Sequence, residues 1–441
     1  MENYSKAEIL QLVEDEGVEF IRLQFTGQCG VLKNVAIPAS KLCKALENRC
    51  SIDRAAIEGF ADGEEVDLYL KPDLDTFTIL PWRPQQGKVA RFICDVIDEN
   101  GQEYEGSSRY ILKKVMEQAS AKGYTLNINP ECEFYLFHTD DNGLPTTITH
   151  EKAGYLDTSP VDLGENTRRD IILALEDMGY EIDSSHHEIA PAQHEIDFTF
   201  ENAIKTADKI VTFKMAVRTI AKRYGLQATF MPKPKADANG SGMHVNMRLM
   251  KGGKNVFVDE NGELSEEGKA FMAGILHHIP GMTAVLNPIV NSYKRLVPGT
   301  GAPSDITWSQ KQRSALIHVR KQIGGGLDLE LRSPDAAADP YLVFALCLAA
   351  GMDGIEQNMV APSELTEDIR NFSEEEKETK GIESLPENLG EAIKAMKKDT
   401  LVRETLGSEF ATDYMKAKRA EWKGYLEQIS EWEIDKYLYL V

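Results

Sequence analysis

The sequence predicts an α+β fold with two domains. Over its 441 residues, segments typical of strands and of helices follow one another in mixed order. A doubly wound parallel sheet would instead show regular strand–helix alternation. An Asp-Glu-Asn-Gly turn signal at 98–101 separates a strand-rich first part from a larger mixed region. We therefore expect a small domain over residues 1–103 and a large domain over residues 104–441 that ends in a charged helical tail.

Local signals predict the elements of the small domain in order. Ser5 followed by Glu8 is a capping box and predicts a helix that ends near Gly17. Apolar and polar residues alternate over 21–25, which predicts a half-buried strand. The further elements predicted here are an antiparallel partner strand at 31–37, a helix at 40–47 and strands at 76–80 and 89–97.

The large domain is predicted to mix helices and strands. Gly123, Gly179 and Gly225 each follow a segment of helical periodicity and mark helix ends. The longest apolar run, around 341–350, falls far short of the about 20 residues that span a membrane. The helices predicted are 109–121, 168–178, 208–224, 266–278 and 340–352, and the strands are 126–137, 194–200, 243–249 and 327–332.

Charge and cysteine usage exclude some functions. Lys plus Arg is 49 and Asp plus Glu is 71, so the formal charge is −22. This balance argues against a nucleic-acid binder, which needs clustered positive charge. The chain does not begin like a signal peptide, and its six cysteines form no C-x-x-C pair. We therefore expect a cytoplasmic protein with reduced thiols and no membrane contact.

Ionisable side chains share one face on several predicted strands. Side chains two residues apart on a strand point the same way, and the pairs and triplets of this kind are Glu131 with Glu133, Glu195 with Asp197, His244 with Asn246 and Arg248, and Asp328 with Glu330 and Arg332. Each segment alone is compatible with an amphipathic strand whose polar face is solvated. Together, and flanked by apolar residues, they predict buried carboxylates, which need cations.

The ligand chemistry of these segments favours magnesium or manganese. Glutamates with one histidine suit Mg²⁺ or Mn²⁺ better than zinc, which prefers more His and Cys. Two such sites a few ångström apart permit metal-assisted phosphoryl transfer. The glycines of the segment 239–242 let the backbone approach a ligand closely, although an ordinary tight turn has the same composition. Arg332 is placed to bind a substrate carboxylate with both nitrogens.

Seven motifs together resemble one family. The motifs are Pro130-Glu131-Cys132-Glu133-Phe134, the segments 186–191, 193–197, 230–234, 239–244 and 291–299, and Glu330-Leu331-Arg332-Ser333-Pro334-Asp335. With them the chain resembles bacterial type I glutamine synthetase nearly end to end. That family joins ammonia to the γ-carboxyl group of glutamate through a γ-glutamyl phosphate made from ATP.

The resemblance implies a fold, an assembly and a set of cofactors. The implied fold is a small N-terminal β-grasp domain followed by a large catalytic α+β domain that is barrel-like. The implied assembly is a homododecamer of two stacked hexameric rings with active sites between subunits. The implied cofactors are two to three Mg²⁺ or Mn²⁺ ions, with ATP as co-substrate.

The resemblance also assigns roles to individual residues. One cation would be held by Glu133, Glu188 and Glu195, and a second by Glu131, His244 and Glu330. Glutamate would be bound by Asn239, Gly240, His244, Arg295 and Arg332, and the nucleotide by His187, Lys233 and Arg313. The catalytic residues implied are Asp53, which a neighbouring subunit would contribute to the ammonium site, together with Arg295, Arg313 and Arg332.

Several positions depart from the family pattern. Gly301 stands where a glutamate normally closes over the site and helps to take a proton from ammonium. His318 and Asp328 replace arginines, and Arg248 replaces a serine. We expect these changes to impair catalysis, since losing one such contact commonly costs about 10²–10³ in rate. Because 248 and 328 are both expected to line the phosphate slot, we predict that Arg248 and Asp328 form an ion pair.

Three functions follow from this pattern. The first is a working ligase for glutamate, ammonia and ATP, supported by the complete set of metal ligands. The second is a γ-glutamyl ligase for another amine, since losing the lid glutamate opens room for a larger nucleophile. The third is a catalytically weak paralogue with a regulatory role, because the losses fall on the phosphate side and the ammonium lid.

Overall fold

The structure is a computed structural model that describes residues 4–27, 30–57, 66–83, 86–299, 301–323 and 325–441. Its order of elements is mixed, as predicted, and it contains two sheets. Two large apolar clusters accompany them, one within residues 9–96 and one that extends over most of the rest of the chain. The α+β class is therefore confirmed.

The first sheet has six strands in the order β2-β1-β6-β4-β3, with β5 paired to β6. Its strands are β1 (Val18–Thr26), β2 (Leu32–Pro38), β3 (Cys50–Asp53), β4 (Asp67–Pro72), β5 (Thr78–Ile79) and β6 (Lys88–Ile97). The helices beside it are α1 (Lys6–Asp15) and α2 (Leu42–Leu46). The antiparallel pairing of β1 with β2 is as predicted.

The capping box of α1 is confirmed in both directions. The Glu8 backbone amide donates to Ser5 Oγ at 3.2 Å, and the Ser5 amide donates to Glu8 Oε2 at 2.7 Å. The strand predicted at 76–80 is only partly formed. Residues Leu74–Thr76 make one turn of 3₁₀ helix before the two-residue β5.

The second sheet has ten strands and carries most of the ionisable residues singled out above. Seven strands form the path β14-β15-β16-β12-β7-β9-β8, and three short ones pair beside it. The strands are β7 (Tyr124–His138), β8 (Ile182–His187), β9 (Gln193–Phe198), β10 (Glu201–Asn202), β11 (Leu226–Thr229), β12 (Met243–Lys251), β13 (Lys254–Asn255), β14 (Trp308–Ser309), β15 (Ile317–Lys321) and β16 (Leu327–Leu331).

The second part of the chain also contains helices, and some of them cover one face of this sheet. The bounds are α3 (Ser108–Ala121), α4 (Glu165–Glu176), α5 (Ala203–Ala221), α6 (Glu266–Leu286), α7 (Ser292–Arg295), α8 (Pro340–Glu356), α9 (Glu374–Lys380), α10 (Leu389–Lys398), α11 (Thr400–Leu406), α12 (Ser408–Leu426) and α13 (Glu431–Tyr437). Helices α3 and α5 pack against β7, and α8 packs against α3, α5 and α6. Within the part of the chain that the structure describes, no helix has the length and apolar character needed to span a membrane.

The alternation along β7 places the acidic residues on the face away from these helices. Ile128, Cys132 and Phe134 belong to the large apolar cluster. Glu131 and Glu133 lie between them in sequence and therefore point to the opposite face. The five described cysteines are free thiols, as expected, and Cys29 lies outside the described residues.

Candidate active site

The polar face of the ten-stranded sheet forms one side of a cavity of about 520 Å³. Side chains from β7, β8, β9, β12, β15 and β16 reach it, together with loop residues. The residues predicted for the site that line it are Glu131, Glu133, Glu188, Glu195, Asn239, Gly240, His244, Arg295, Arg313, Glu330 and Arg332. Six separate stretches of sequence thus converge on one space.

Strand register explains this convergence. His244 on β12 is directly opposite Glu131 on β7, and Glu195 on β9 is directly opposite Glu133. On the other side of β12, Asn246 is opposite Glu330 of β16. Because neighbouring strands lie about 4.7–4.9 Å apart, side chains on one face of four strands form a continuous surface.

One cluster of ligand atoms consists of Glu131, His244 and Glu330, which lie within 4.8 Å of one another. His244 Nδ1 is 3.1 Å from a Glu131 oxygen and 3.4 Å from a Glu330 oxygen. Burial opposes ionisation of Glu131, but the hydrogen bond from His244 and the charge of Arg320 outweigh it, so its pKa lies below the usual range. These three residues are the ones predicted to share a cation.

A second cluster brings Glu188 and Glu195 together with His186. His186 Nε2 is 3.0 Å from Glu188 and 3.9 Å from Glu195. Glu133, the third ligand predicted here, lines the same cavity and accepts from the Gly242 amide at 2.7 Å. His186 was not predicted as part of this group.

Carboxylates crowd the second cluster without matching positive charge. Burial and the nearby carboxylates of Asp197 and Glu133 hold the pKa of Glu195 far above its usual range. Burial also raises the pKa of Glu133. A divalent cation would offset this repulsion, and carboxylates with a single histidine are ligands that Mg²⁺ and Mn²⁺ accept. The residues present therefore fit such ions at both clusters.

Two arginines and a glycine loop border these clusters. Arg295 is buried and donates to the Ser333 carbonyl at 2.7 Å, and Arg332 donates to Glu330. Gly240 lies against Arg295, and a Cβ at position 240 would be 2.4 Å from the carbonyl oxygen of Pro232. Only glycine fits this close approach, as expected for the segment.

Three residues predicted for the site do not line the cavity. Asp53, at the end of β3, accepts from the Ala55 amide at 2.9 Å. Lys233 donates from Nζ to the Ala238 carbonyl at 2.5 Å. His187 is fully buried behind the cavity, where its Nε2 is 2.6 Å from Glu151.

His187 and Glu151 support the turn that carries Glu188. His187 Nδ1 donates to the Glu188 carbonyl at 2.6 Å. Glu151 also accepts from the backbone amides of Ala192 and Leu163, at 2.6 and 2.7 Å. Burial opposes ionisation of Glu151, yet the hydrogen bond from His187 lowers its pKa to about 2. The contacts of His187 fix backbone geometry beside a cavity residue.

The structure confirms the predicted ion pair between Arg248 and Asp328. Arg248 Nε is 2.5 Å from one Asp328 oxygen and its Nη2 is 3.2 Å from the other. The guanidinium lies 3.8 Å from the ring centre of Phe200, and Gln322 donates to Asp328 at 2.5 Å. The pair therefore belongs to a network of polar contacts, and its Asp328 side chain is buried.

Neither Arg248 nor Asp328 is among the residues that line the cavity, whereas two other departures from the family pattern lie at it or contact its lining. His318 Nδ1 is 3.0 Å from Glu330, so it contacts a predicted metal ligand. Gly301 lines the cavity with a φ of +91°. Ala302 lines the cavity beside it, whereas Thr300 lies outside the described residues.

Arg320 is the most important site residue that the sequence analysis missed. It lines the cavity and donates from Nη1 to Glu131 and, at 2.9 Å, to Asn246 Oδ1. A signal was present, because Arg320 follows His318 by two residues and must share its face of a strand. Arg320 also ends the segment Ile317-His318-Val319-Arg320, where the resemblance to the family leads one to expect Ile-Arg-Ile-Pro.

Comparison with known proteins gives consistent matches over both parts of the chain. The family model described as glutamine synthetase, beta-Grasp domain, matches residues 17–99, and glutamine synthetase, catalytic domain, matches residues 105–437. A glutamine synthetase of Clostridium saccharobutylicum is 53% identical over 440 residues, covering 99% of each chain. One of Staphylococcus aureus is 48% identical over 438 residues, covering 99% of this chain and 98% of that protein.

Solved structures agree with these matches. A chain described as a GmaS/ADP complex superposes with a TM-score of 0.88 at 32% identity, covering 97% of this chain and 99% of that one. A ligand-free GmaS chain gives 0.86 at 32% identity, covering 98% and 99%. The predicted β-grasp and catalytic domains are confirmed, and the chain belongs to the glutamine synthetase family as an enzyme of the glutamine synthetase ligase type.

Proposed function

We propose that this enzyme makes glutamine from glutamate and ammonia, with ATP as co-substrate and a γ-glutamyl phosphate as intermediate. The observation that carries the proposal is the convergence of six predicted metal ligands and three predicted arginines on one cavity. The glutamine synthetase name of relatives at 48–53% identity supports the same reaction.

Two to three Mg²⁺ or Mn²⁺ ions would be held by the acidic clusters. Glu133, Glu188 and Glu195 would hold one, and the residues that would hold a second are Glu131, His244 and Glu330. When bound, these ions would neutralise the charge of the phosphates and of the transferring group. His186 lies close enough to Glu188 to orient that carboxylate.

Arginines and the glycine loop would position glutamate. Arg295 and Arg332 would hold its carboxylates and stabilise the charge of the transferring phosphate. The loop at Asn239 and Gly240, with His244, would hold its backbone. The loop backbone lies so close to Arg295 that position 240 has no room for a Cβ.

The nucleotide and ammonium sites involve residues beyond the cavity wall. Arg313 would contact the phosphates, with His187 and Lys233 nearby. An ADP complex is named in the description of the structural relative, which supports nucleotide binding in this fold. Asp53 lies outside its own cavity and would serve the ammonium site of a neighbouring copy.

We also propose that the chain assembles into a homododecamer of two hexameric rings. We expect the protein in the cytoplasm, and we place its domain boundary between residues 103 and 104. Large apolar side chains at the C-terminus are exposed in the single chain, including Trp432, Leu438 and Leu440. A surface of this kind is typical of an interface between subunits. Glutamate, ATP and ammonia complete the expected partners, with no nucleic acid or membrane.

The first test follows phosphate release and glutamine formation with glutamate, ATP, ammonia and Mg²⁺ or Mn²⁺. Glu195→Gln should reduce both by at least 10²-fold, because it removes a proposed ligand. Glu263→Gln is the matched control, since this exposed carboxylate pairs with Lys321 away from the cavity. Equal activity of the two variants, or no glutamine from the unaltered chain, would contradict the proposal.

A second candidate is a γ-glutamyl ligase for a larger amine. The specific observation is the cavity edge at Gly301 and Ala302, where small residues replace the carboxylate of the lid. The same assay with a panel of primary amines distinguishes the two reactions. Phosphate release with an alkylamine but not with ammonia would favour the second. If no amine gives phosphate release although glutamate binds, a catalytically weak paralogue with a regulatory role would be favoured.

A further inference from the structure

Glu188 lies in the tight turn that joins β8, which ends at His187, to β9, which begins at Gln193. The Glu188 amide donates to the Gln193 carbonyl at 2.8 Å, and the Gln193 amide donates to the Ala190 carbonyl at 3.0 Å. The side chain of Glu188 lines the cavity. The position of this carboxylate therefore depends on the backbone of the short turn at 188–192.

One residue of this turn has an unfavourable backbone conformation. Ala192 has a φ of +68°, and residues with a Cβ rarely adopt this left-handed region. Its side chain is buried in a small apolar cluster with Tyr135 and Phe137. A conformation of this kind persists only where the surrounding contacts fix it. The contacts that hold Ala192 therefore also fix the turn that carries Glu188.

A single buried carboxylate supplies such contacts. The Ala192 amide donates to Glu151 Oε1 at 2.6 Å, and His187 Nε2 is 2.6 Å from the same oxygen. The other oxygen of Glu151 accepts from the Leu163 amide at 2.7 Å. Glu151 is 6% exposed and does not line the cavity. It thus connects the end of β8, the end of the turn and the loop at 163.

His187 extends this support to Glu188 itself. Its Nδ1 donates to the Glu188 carbonyl at 2.6 Å, and its side chain is fully buried. Its backbone carbonyl accepts from the Leu156 amide at 3.0 Å. Because both ring nitrogens are engaged within the chain, the ring acts on the cavity through the position of Glu188.

We propose that Glu151 and His187 are positioning residues, which hold the turn at 188–192 so that Glu188 faces its cation. The inference rests on the proposed function, because it takes Glu188 as a cation ligand. It assigns His187 a role through the backbone of Glu188 and not through contact with the nucleotide. Groups behind a metal ligand commonly contribute about 10–100-fold to metal affinity.

The side chains around Glu151 have one alternative role, that of a further cation site. Asp162, His187 and His194 lie close enough to Glu151 to offer ligand atoms. Arg168, however, donates to Asp162 at 2.9 Å and lies 2.8 Å from His194 Nδ1. Positive charge is therefore already present in this cluster, which favours the positioning role. The number of bound ions distinguishes the two.

The first test measures Mn²⁺ binding to the full-length chain by calorimetry, with electron paramagnetic resonance to count the bound ions. The position that Glu188→Gln weakens is the reference. Glu151→Gln should weaken that same position at least about tenfold, because an amide has one accepting oxygen where the carboxylate uses two. The number of ions bound at saturation should not change. Loss of one bound ion, with the other affinities unchanged, would overturn the inference in favour of a direct ligand.

Asp208→Asn is the matched control. Asp208 is a buried carboxylate of α5 that accepts from Arg109 at 2.8 Å, on the helix side of the sheet. This variant should leave the Mn²⁺ affinity within twofold, and an equal loss in both variants would overturn the inference. If Glu151→Gln does not fold, His187→Gln gives the same comparison, since it removes the support of the Glu188 carbonyl.

The second test uses the backbone conformation of Ala192. Ala192→Gly removes the Cβ that disfavours a positive φ, so the turn should depend less on Glu151. Adding Ala192→Gly to Glu151→Gln should therefore restore the Mn²⁺ affinity at least threefold. Asn358→Gly is the control, since Asn358 has a φ of +50°, follows α8 and does not line the cavity. No recovery with Ala192→Gly, or equal recovery with Asn358→Gly, would overturn the inference.

Glutamine formation separates this inference from the proposed reaction. In Glu151→Gln the Mn²⁺ concentration that gives half the maximal rate should rise at least about tenfold, whereas KM for ATP should stay within threefold. An unchanged Mn²⁺ dependence in a chain that makes glutamine would overturn the inference and leave the reaction standing. Mn²⁺ binding that Glu151→Gln weakens and Ala192→Gly restores, in a chain that makes no glutamine, would support the inference and contradict the reaction.

Discussion

Arg248 and Asp328 replace a serine and an arginine of the family pattern with an ion pair between neighbouring strands. Asp328 has 1% of its side chain exposed, whereas Arg248 retains 31% and stacks on Phe200. A buried carboxylate that loses its partner is costly, while removing both partners is often tolerated. The effect of either residue on stability therefore depends on whether the other is present.

Arg248→Ser alone should lower the free energy of unfolding by about 3 kcal/mol, because it leaves the buried Asp328 carboxylate with the neutral amide of Gln322 and no charge partner. The double variant Arg248→Ser with Asp328→Asn should cost clearly less than the sum of its single changes. Urea denaturation of the single and double variants measures this coupling. Strictly additive effects would show that the pair has no coupling energy.

Moving the positive charge back to β16 should raise catalysis. In Arg248→Ser with Asp328→Arg, the guanidinium returns to the strand where the family has it, and we expect at least a tenfold increase in kcat for phosphate release. Arg248→Ser alone is the control and should give no increase. No gain in the double variant would mean that these two positions do not limit phosphoryl transfer.

The change Gly301→Glu would strain the backbone at this position, which the sequence alone does not show. Gly301 has a φ of +91°, which lies in the region that favours glycine. A glutamate there would cost about 1–2 kcal/mol unless the loop changes its backbone. Restoring the lid carboxylate is therefore expected to work only when the loop at 299–303 is also altered.

At the residue scale, the sequence predicted most side chains of the cavity but not all of their neighbours. Alternation along a strand showed that Glu131 and Glu133 share a face, and the motifs brought Glu188 and Glu195 to them. The register between strands was not visible, so His186 was missed while the adjacent His187 was assigned to the nucleotide. Neighbouring residues of a strand face opposite sides, and only pairing with β9 decides which side is the cavity.

At the element scale, a histidine joins three helices of the catalytic domain. His278 of α6 is 2.8 Å from Asp399, which caps α11, and 3.2 Å from Asp353 of α8. Burial opposes the charged form, but the hydrogen bonds that His278 donates to Asp399 and Asp353 raise the pKa of His278. The pKa of Asp399 is lowered, since the bond from His278 outweighs its burial.

His278→Gln should destabilise the protein most at slightly acidic pH. The folded state raises the pKa of His278, so its stabilisation is fully present below about pH 6.5 and is lost as pH rises through the raised value. We expect the difference in melting temperature between the unaltered chain and the variant to be larger at pH 6 than at pH 9. A difference that grows with pH would contradict this assignment of charge.

The elements with local signals were predicted better than those without. The capping box of α1 lies where expected. So do two glycines that end helices, Gly123 after α3 and Gly225 after the 3₁₀ turn at Lys222–Tyr224. Helix α6 was predicted to end at 278 but continues through Pro280 to Leu286. It is buried on nearly every side, and such packing offsets the hydrogen bond that a proline removes.

Strands β8 and β15 had no local signal of comparable strength. Residues Ile182–His187 are mostly polar and partly exposed, so they lack the alternation of a half-buried strand. β15 is five residues long and ends in two basic residues. Both strands exist because a neighbouring strand supplies the backbone partners, and such long-range pairing leaves little trace in sequence.

At the scale of the whole molecule, the net charge of −22 conceals two opposite local arrangements. The Glu133, Glu188 and Glu195 side of the cavity has excess negative charge. The Glu131 side is neutralised by arginines within the same chain. Composition alone could not separate the two, because the total counts every acid equally whether or not an arginine lies beside it.

The C-terminal segment is the part of the chain whose surface is least explained by a monomer. Residues 423–441 are all exposed, and α13 nevertheless begins with a complete capping box at Ser430. The apolar residues of this segment include Ile429, Trp432, Leu438 and Leu440, each more than half exposed. A helix that has a complete N-terminal capping box but exposes its apolar side chains is typical of a segment that is buried between subunits.

Trp432→Ser combined with Leu438→Ser should therefore reduce the assembled mass measured by sedimentation equilibrium, because these changes remove apolar area from the proposed interface. Glu431→Gln with Lys436→Gln is the control on the same helix and should leave the mass unchanged. Asp53 lies outside the cavity of its own chain, so loss of assembly should reduce glutamine formation in the first variant in parallel with its mass. A smaller assembly with full activity would show that each chain completes its own site.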